Sequence, residues 1–184
     1  MASRFLTAEW RDLVMLNYEV DPAMLADLVP AGTELDLWQG RALVSVVGFH
    51  FRRTRLLGVA IPGHSNFEEV NLRFYVRRAA PGGAGEWRRG VVFVKEIVPR
   101  RAIAWVARTL YNENYVALPM RHSIADREAD AARSVSYQWR HEGRWCHVGV
   151  VARGLPDLPP ADSEETFITE HYCCLLYTSP SPRD

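Results

Sequence analysis

The sequence predicts an α+β domain dominated by an antiparallel β-barrel or a curved sheet, with two or three short helices. Three observations indicate this class. Long apolar or alternating stretches recur through the 184 residues, turns containing glycine separate several of them, and few segments have helical periodicity. Residues with hydrophobic side chains make up 48% of the chain, which is enough for the core of one domain.

The first elements are a strand and a short helix. Residues 13–20 (LVMLNYEV) are apolar on both faces, as in a strand buried on both sides. Asp21 and Pro22 then provide an N-cap and a first-turn proline for a helix that runs to Leu28.

Hairpins account for most of the remaining strands. Each has a turn with glycine between two arms rich in β-branched and aromatic residues. Gly48 is expected to mark a bend in the longest arm. The predicted hairpins pair 34–38 with 42–51 around Gln39-Gly40, 67–77 with 91–98 around 81–85, and 135–141 with 145–151 around Glu142-Gly143.

Two more helices are predicted. The segment 100–111 is amphipathic, with Ile103, Val106 and Leu110 on one face. Residues 116–120 after it are short and extended. Asp162 and Glu165 have the spacing of a capping box and predict the start of a final helix.

Composition excludes several classes of function. The formal net charge is zero and the arginine pairs fall at predicted strand ends, so we expect no nucleic-acid partner. No apolar run is long enough to span a bilayer, and three cysteines do not make a disulfide framework, so we expect a cytoplasmic protein. The histidines are scattered, and no phosphate loop is present, which predicts neither a metal site nor a cofactor.

The strand 67–77 has an alternation with two interpretations. Glu69, Asn71 and Arg73 share one of its faces. That face could meet water, or it could be the polar wall of a pocket for a small, oxygen-rich molecule. In the second interpretation Arg73 would pair with a ligand carboxylate through two hydrogen bonds.

The strand 91–98 contains Lys95, the single lysine of the chain, followed by Glu96. One of the two should point inward, because neighbours on a strand face opposite ways. An inward Lys95 could serve as a Schiff-base nucleophile, whereas an inward Glu96 could be an acid or the partner of Arg73. Alternatively, the charge lies at the sheet margin and only its aliphatic stem is covered.

The last residues differ in character from the rest. The segment 174–184 (CLLYTSPSPRD) resembles a translated transposon-end sequencing adapter. We therefore expect one domain at 1–173, incomplete at its C-terminus and derived from a metagenomic fragment, followed by an artefactual tail.

Several stretches resemble a bacterial family of unknown function, the YqjF-like proteins. They include WRDLVMLNYEVDPAMLADLVP, NFEEVNLRFYV, GVVFVKEIVPRRAIAWVARTLYNENY and FITEHY, and the resemblance covers residues 5–172. This family is similar to acetoacetate decarboxylase, which implies a barrel-like fold around a small polar pocket.

The resemblance also implies site residues. The aromatic-x-Glu pattern of the decarboxylase matches 67–69 and puts Glu69 at an acidic pocket position. Its Gly-Arg-Glu matches 107–109 (Ala-Arg-Thr), which brings in Arg108. Its Gly-Phe-Pro-Lys matches 112–115 (Asn-Glu-Asn-Tyr), so Tyr115 stands where the Schiff-base lysine would be. Tyrosine cannot form an imine, so decarboxylation by that route is not supported.

Three hypotheses follow. The first is a protein that binds a small oxygenated or carboxylate ligand, with acid–base chemistry by Glu69 and Tyr115 if it is an enzyme. The second is a lysine-dependent decarboxylase or aldolase-like enzyme that uses Lys95. The third is a non-catalytic interaction domain, and each is compatible with a homo-oligomer. The expected ligand-binding residues of the first are Glu69, Asn71, Arg73, Arg108 and Tyr115.

Overall fold

The structure is a computed structural model that describes residues 6–56, 59–60, 63, 65–80, 85–111, 114–127, 132–171 and 173–174. The strands formed by these residues are β1 (Leu6–Val20), β2 (Glu34–Leu35), β3 (Ala42–Leu56), β4 (Val59–Ala60), β5 (Phe67–Ala79), β6 (Trp87–Val98), β7 (Tyr115–Ala117), β8 (Met120–Arg127), β9 (Ala132–His141), β10 (Arg144–Arg153) and β11 (Cys173–Cys174). A 3-10 helix spans Pro22–Leu28, and the α-helices are α1 (Arg101–Tyr111) and α2 (Glu164–Thr169).

The strands form two sheets. The large sheet has the order β1-β3-β5-β6-β11, with β2 on β5, β4 on β3 and β7 on β6. The small sheet has the order β10-β9-β8. All these pairs are antiparallel except those of β7 and β11, which both run parallel to β6. The predicted α+β class with mostly antiparallel, curved sheet is confirmed, and over the described residues the sheets do not close into a barrel.

One face of the large sheet packs on the small sheet. The apolar residues buried between them are Val14, Val70, Val135, Tyr137 and Val148. Gly48 lies on this face, where a Cβ atom would stand 2.6 Å from Cδ2 of Tyr137. β3 pairs with β5 in continuous register through Gly48, whereas its pairing with β1 shifts register beside this glycine. The missing side chain also permits close packing of the two sheets.

The opposite face of the large sheet carries two apolar clusters. The first, beside α1, contains Val47, Phe49, Phe51, Phe67, Val98 and Ala104. The second, beside α2, contains Leu43, Tyr75, Val91, Phe167 and Ile168. The middle strands run from one cluster to the other, so residues between them are enclosed on this face.

The predicted hairpin between 34–38 and 42–51 is wrong. Instead, β2 pairs with β5, and only a bridge between Trp38 and Arg41 surrounds the Gln39-Gly40 turn. The salt bridge between Arg77 and Glu34, with N···O of 2.7 Å, strengthens the observed pairing.

Of the two predicted helix N-caps, one is confirmed and one is wrong. The side chain of Asp21 accepts a hydrogen bond from the Ala23 N–H, as an N-cap does, although the turn that follows is a 3-10 helix. At α2 the cap is Ser163 rather than the predicted Asp162, because the Ser163 hydroxyl accepts from the Thr166 N–H at 3.2 Å.

The remaining differences concern length and ends. The short extended segment predicted at 116–120 is divided between β7 and the much longer β8. Of the segment predicted to be an adapter-derived tail, Cys174 lies in β11 and residues 175–184 lie outside the described residues. No α-helix in the described part of the chain has the length and apolar character of a membrane span.

Candidate functional site

Three polar side chains follow one another along the inner face of β5. The alternation of the strand puts Glu69, Asn71 and Arg73 on one face. Their exposed fractions are 2%, 2% and 9%, so this face does not meet water. The structure therefore contradicts the interpretation in which this face meets water, and it places the three residues between the two apolar clusters of the sheet.

The neighbouring strand β6 adds a second carboxylate. Glu96 pairs with Asn71 across the sheet, and its exposed fraction is 2%. A register shift between Leu72 and Arg73 gives β6 an extra residue next to this position. Lys95 pairs with Leu72 and is exposed, so it lies on the other face of the sheet from Asn71. The sequence predicts that either Lys95 or Glu96 points inward, and in the structure it is Glu96.

Both oxygens of the Glu69 carboxylate accept hydrogen bonds. Asn71 Nδ2 donates to Oε1 at 3.0 Å, and the phenol of Tyr115 donates to Oε2 at 2.9 Å. These donors fix the orientation of the carboxylate on the buried face. We call Glu69, Asn71, Arg73, Glu96 and Tyr115 the polar row.

The position of Tyr115 depends on the parallel pairing of β7 with β6. Tyr115 lies opposite Glu96 in that pairing. Asn114, the preceding residue, makes two hydrogen bonds with β6. Its side-chain Nδ2 donates to the Val94 carbonyl at 2.6 Å, and its backbone carbonyl accepts from the Glu96 N–H at 3.1 Å. This local register directs the phenol toward Glu69.

Arg73 is a buried cation without an anionic partner among the described residues. Its Nη2 contacts the sulfur of Met15 at 4.0 Å, and its Cζ lies 5.9 Å from the centre of the Tyr75 ring. Within the part of the chain that the structure describes, its buried Nε has no hydrogen-bond partner and no carboxylate pairs with the guanidinium. Oδ1 of Asn71 is likewise buried, with no partner in the described part of the chain.

Sequence analysis missed a hydroxyl cluster beside Arg73. Ser45 pairs with Arg73 across the sheet, and its Oγ donates to Asn17 Oδ1 at 2.7 Å. The same Oγ lies 2.5 Å from the Tyr75 hydroxyl. The signal was present in β3, where a single serine interrupts the apolar run ALVSVV.

A second buried group was also missed. The Asp36 carboxylate lies 3.0 Å from Nε2 of His171 and 3.1 Å from Nε of Arg89. Nδ1 of His171 lies 2.7 Å from the Phe167 carbonyl, so the imidazole bridges the end of α2 and the large sheet. This contact orients α2 against the cluster of which Tyr75 is part.

The predicted site residue Arg108 belongs to α1, but its side chain lies outside the described residues. The structure thus brings together Glu69, Asn71, Arg73 and Tyr115, adds Glu96, and puts Lys95 elsewhere.

Solved structures with a similar fold include an acetoacetate decarboxylase and two other enzymes. The acetoacetate decarboxylase of Legionella pneumophila aligns with a TM-score of 0.55 at 13% identity, over 78% of this chain and 48% of that one. The enduracididine biosynthesis enzyme MppR, in complex with pyruvate, aligns with a TM-score of 0.56 at 17% identity, over 81% and 58%. An acetoacetate decarboxylase-like enzyme of Sphingomonas wittichii RW1 gives 0.55 at 16%, over 79% and 56%. These likenesses show a shared fold.

Sequence comparison gives a closer relationship. The chain is 30% identical over 172 residues to the uncharacterized protein YqjF of Bacillus subtilis (strain 168), and this match covers 92% of the chain and 66% of YqjF. The chain therefore spans just under two thirds of that relative's length. A family model described as an uncharacterized conserved protein matches residues 7–183. By this match, which extends over nearly the whole sequence, the chain belongs to the family DUF2071 and has an acetoacetate decarboxylase-like fold.

Proposed function

We propose that the protein binds a small, oxygenated ligand that carries a carboxylate, and that the polar row is its binding site. The observation that carries this proposal is Arg73, a buried guanidinium with no anionic partner among the described residues. A buried cation loses its hydration and recovers little of that free energy unless an anion pairs with it. A ligand carboxylate offers two acceptor oxygens that match the guanidinium fork.

The spacing along β5 supports a short ligand. Residues two apart on a strand are separated by about 7 Å, so a molecule of a few carbons could reach from Arg73 to Asn71. There the Asn71 carbonyl oxygen, which has no partner among the described residues, would accept from a hydroxyl group of the ligand. The Ser45 hydroxyl beside Arg73 is a further donor or acceptor at the carboxylate end.

The other end of the row supports proton transfer rather than covalent catalysis. Glu69 and Tyr115 share a hydrogen bond, and both groups can give or take a proton. The resemblance to the decarboxylase assigns its Schiff-base lysine to the position of Tyr115, whose phenol cannot form an imine. Lys95 is exposed on the other face of the sheet, so the geometry does not favour it as a substitute.

Pyruvate is a suitable first probe. It is a small oxygenated carboxylate, and it is the molecule named as bound in MppR, whose fold is similar. Isothermal titration of the protein with pyruvate, and with uncharged analogues of the same size, measures whether a carboxylate is required. We expect saturable binding of pyruvate and none of its amide.

The variant Arg73→Met tests the site itself. It keeps the volume of the side chain but removes the charge, and it should weaken pyruvate binding by about tenfold or more. Arg88→Met is the matched control, because Arg88 is exposed on β6. Equal affinity in the wild type and in a folded Arg73→Met protein would refute the proposal.

A further inference from the structure

A second polar feature lies on the opposite face of the large sheet, where β1 and β3 meet the small sheet. It is an open groove with a volume of about 810 Å³. We call it the arginine groove, and the residues that line it are Glu9, Arg11, Asp12, Arg52, Arg53, His122, Ser123, Ile124 and Arg133. None of them belongs to the polar row.

Two β-bulges build this groove. The pairing of β1 with β3 shifts register at two places, and each shift contains a residue with left-handed backbone: Arg53 at φ 53° and Asp12 at φ 55°. In a regular strand Arg52 and Arg53 would point to opposite faces. The bulge instead allows both to line the groove, as bulges do near functional sites. A left-handed backbone conformation is unfavourable for arginine, so the bulge at Arg53 lowers the stability of the folded protein.

The arginines outnumber their carboxylate partners. Glu9 accepts from Arg11 at 3.1 Å and from Arg53 at 2.9 Å, so it is shared between two guanidinium groups. The hydrogen bond from Arg11, and the nearby charge of Arg53, lower the pKa of the Glu9 carboxyl below its usual value. Arg52 makes no ion pair or side-chain hydrogen bond with any described residue.

The far wall of the groove comes from the small sheet. Arg133 binds Asp12 and also Asp126, with an N···O distance of 2.6 Å to the latter. His122 binds Glu68, with 2.9 Å between Nδ1 and Oε1. Arg133 thus has two carboxylate partners, so guanidinium groups are in excess only on the side of β1 and β3, where Arg11, Arg52 and Arg53 lie near one carboxylate, that of Glu9.

We propose that the arginine groove binds a phosphate group, either inorganic or carried by a small molecule, through Arg52 and Arg53. Guanidinium groups donate in pairs to phosphate oxygens, and a tetrahedral oxyanion can accept from several directions at once. Glu9 is shared between two arginines and Arg52 has no ion pair among the described residues, so donors are available on that side of the groove. This binding is independent of the proposed carboxylate site, which lies on the other face of the sheet.

Titration calorimetry with inorganic phosphate, pyrophosphate and a phosphate monoester, at constant ionic strength, tests this proposal. We expect saturable binding at one site, and the order of the affinities distinguishes a free anion from a phosphorylated small molecule. The double variant Arg52→Gln/Arg53→Gln should weaken binding by about tenfold or more. Arg78→Gln/Arg88→Gln is the matched control, since it removes the same charge from exposed positions on β5 and β6.

The single variant Arg52→Gln controls for misfolding of the double variant. It removes no ion pair with a described residue, so we expect it to fold as the wild type does. It should also weaken phosphate binding, whereas Arg73→Met should leave it unchanged. Absence of saturable binding in the wild type, or equal weakening by the control pair, would overturn the proposal. The groove would then be an ionic contact between the two sheets.

Discussion

The phenol of Tyr115 donates a hydrogen bond to Oε2 of Glu69 across an intervening strand. The two residues lie on β7 and β5, which flank β6 on opposite sides, and the O···O distance is 2.9 Å. The bond spans 46 positions in the sequence and connects one end of the polar row to the segment that follows α1. The structure therefore puts a phenol, which can donate a proton, beside the buried carboxylate of Glu69.

We expect Glu69 to move a proton on a bound 2-oxo acid. The protein should accelerate exchange of the pyruvate methyl protons with D2O, followed by NMR, and Glu69→Gln should slow that exchange by about a hundredfold or more. Tyr115→Phe should slow it less, because the phenylalanine removes only one hydrogen bond from the carboxylate. Binding of pyruvate without any acceleration of exchange would contradict the acid–base role.

We expect Lys95 not to form an imine. It is exposed on the face of the sheet away from the polar row, so a keto acid bound beside Arg73 would be out of its reach. Incubation with pyruvate and borohydride, followed by peptide mass mapping, should leave the peptide containing Lys95 unmodified. Because Lys95 is the single lysine, an adduct on that peptide would identify it directly and revive the covalent mechanism.

The stability of the protein should fall as the pH drops through the range in which His50 titrates. Burial lowers the pKa of His50 below its usual value of 6.5, and the charges of His122 and Arg52 lower this pKa further. The carboxylates of Glu68 and Asp12 raise it, but by less. Between the lowered value and 6.5 the unfolded chain binds more protons, so the free energy of unfolding rises with pH there. The contribution of His50 is complete above 6.5 and is lost as the pH falls toward the lowered value.

Urea unfolding at about pH 8 and about pH 5.5 measures this effect. His50→Gln should lose less stability between the two conditions than the wild type does. His147→Gln, at an exposed position on β10, should behave like the wild type. The same pH dependence in all three proteins would show that His50 is not responsible.

Much of the fold and part of the site could be predicted from local sequence. The alternation in β5 was sufficient to group Glu69, Asn71 and Arg73, because side chains on a strand alternate regardless of tertiary structure. The direction of that face was left open, since it depends on what packs against the sheet. Here α1, α2 and their apolar clusters cover it.

Long-range contacts explain what could not be predicted. The turn at Gln39-Gly40 suggested a hairpin, but β2 finds its partner in β5 through Glu34 and Arg77, which are 43 positions apart. Similarly, nothing near Asp36 in the sequence indicates that it binds His171, 135 positions away. Local patterns do not determine pairings of this kind, because several strands of similar character compete for each edge.

The substitution Asp36→Asn should destabilise the protein by about 3 kcal/mol. Asp36 is 3% exposed, and its carboxylate pairs with Arg89 and His171 while Arg77 lies 3.7 Å away. The substitution removes the acceptor that faces the buried imidazole of His171 and one of the two carboxylates at Arg89, which keeps Glu170, while Arg77 keeps Glu34. Denaturant unfolding gives the loss, and Asp157→Asn, in an exposed segment, is the control that should change little. Equal stability of the two variants would show that the cluster contributes no net free energy.

The close contact between Gly48 and Tyr137 predicts a strong coupling between the two sheets. A Cβ at position 48 would lie 2.6 Å from Cδ2 and 3.1 Å from Cγ of Tyr137, a ring that is fully buried. Gly48→Ala should therefore destabilise the protein by about 1–3 kcal/mol through overpacking, even though alanine suits a strand better than glycine does.

A double-mutant cycle separates this clash from other effects of the substitution. Tyr137→Ala removes the ring along with the hydrogen bond that its hydroxyl donates to the Asp12 carbonyl, so by itself it should be strongly destabilising. In the Tyr137→Ala background, Gly48→Ala should lower the free energy of unfolding only slightly or should raise it, because the added methyl then fills part of the space that the ring occupied. If Gly48→Ala has the same effect with and without the ring, the two sheets do not depend on this contact for their packing.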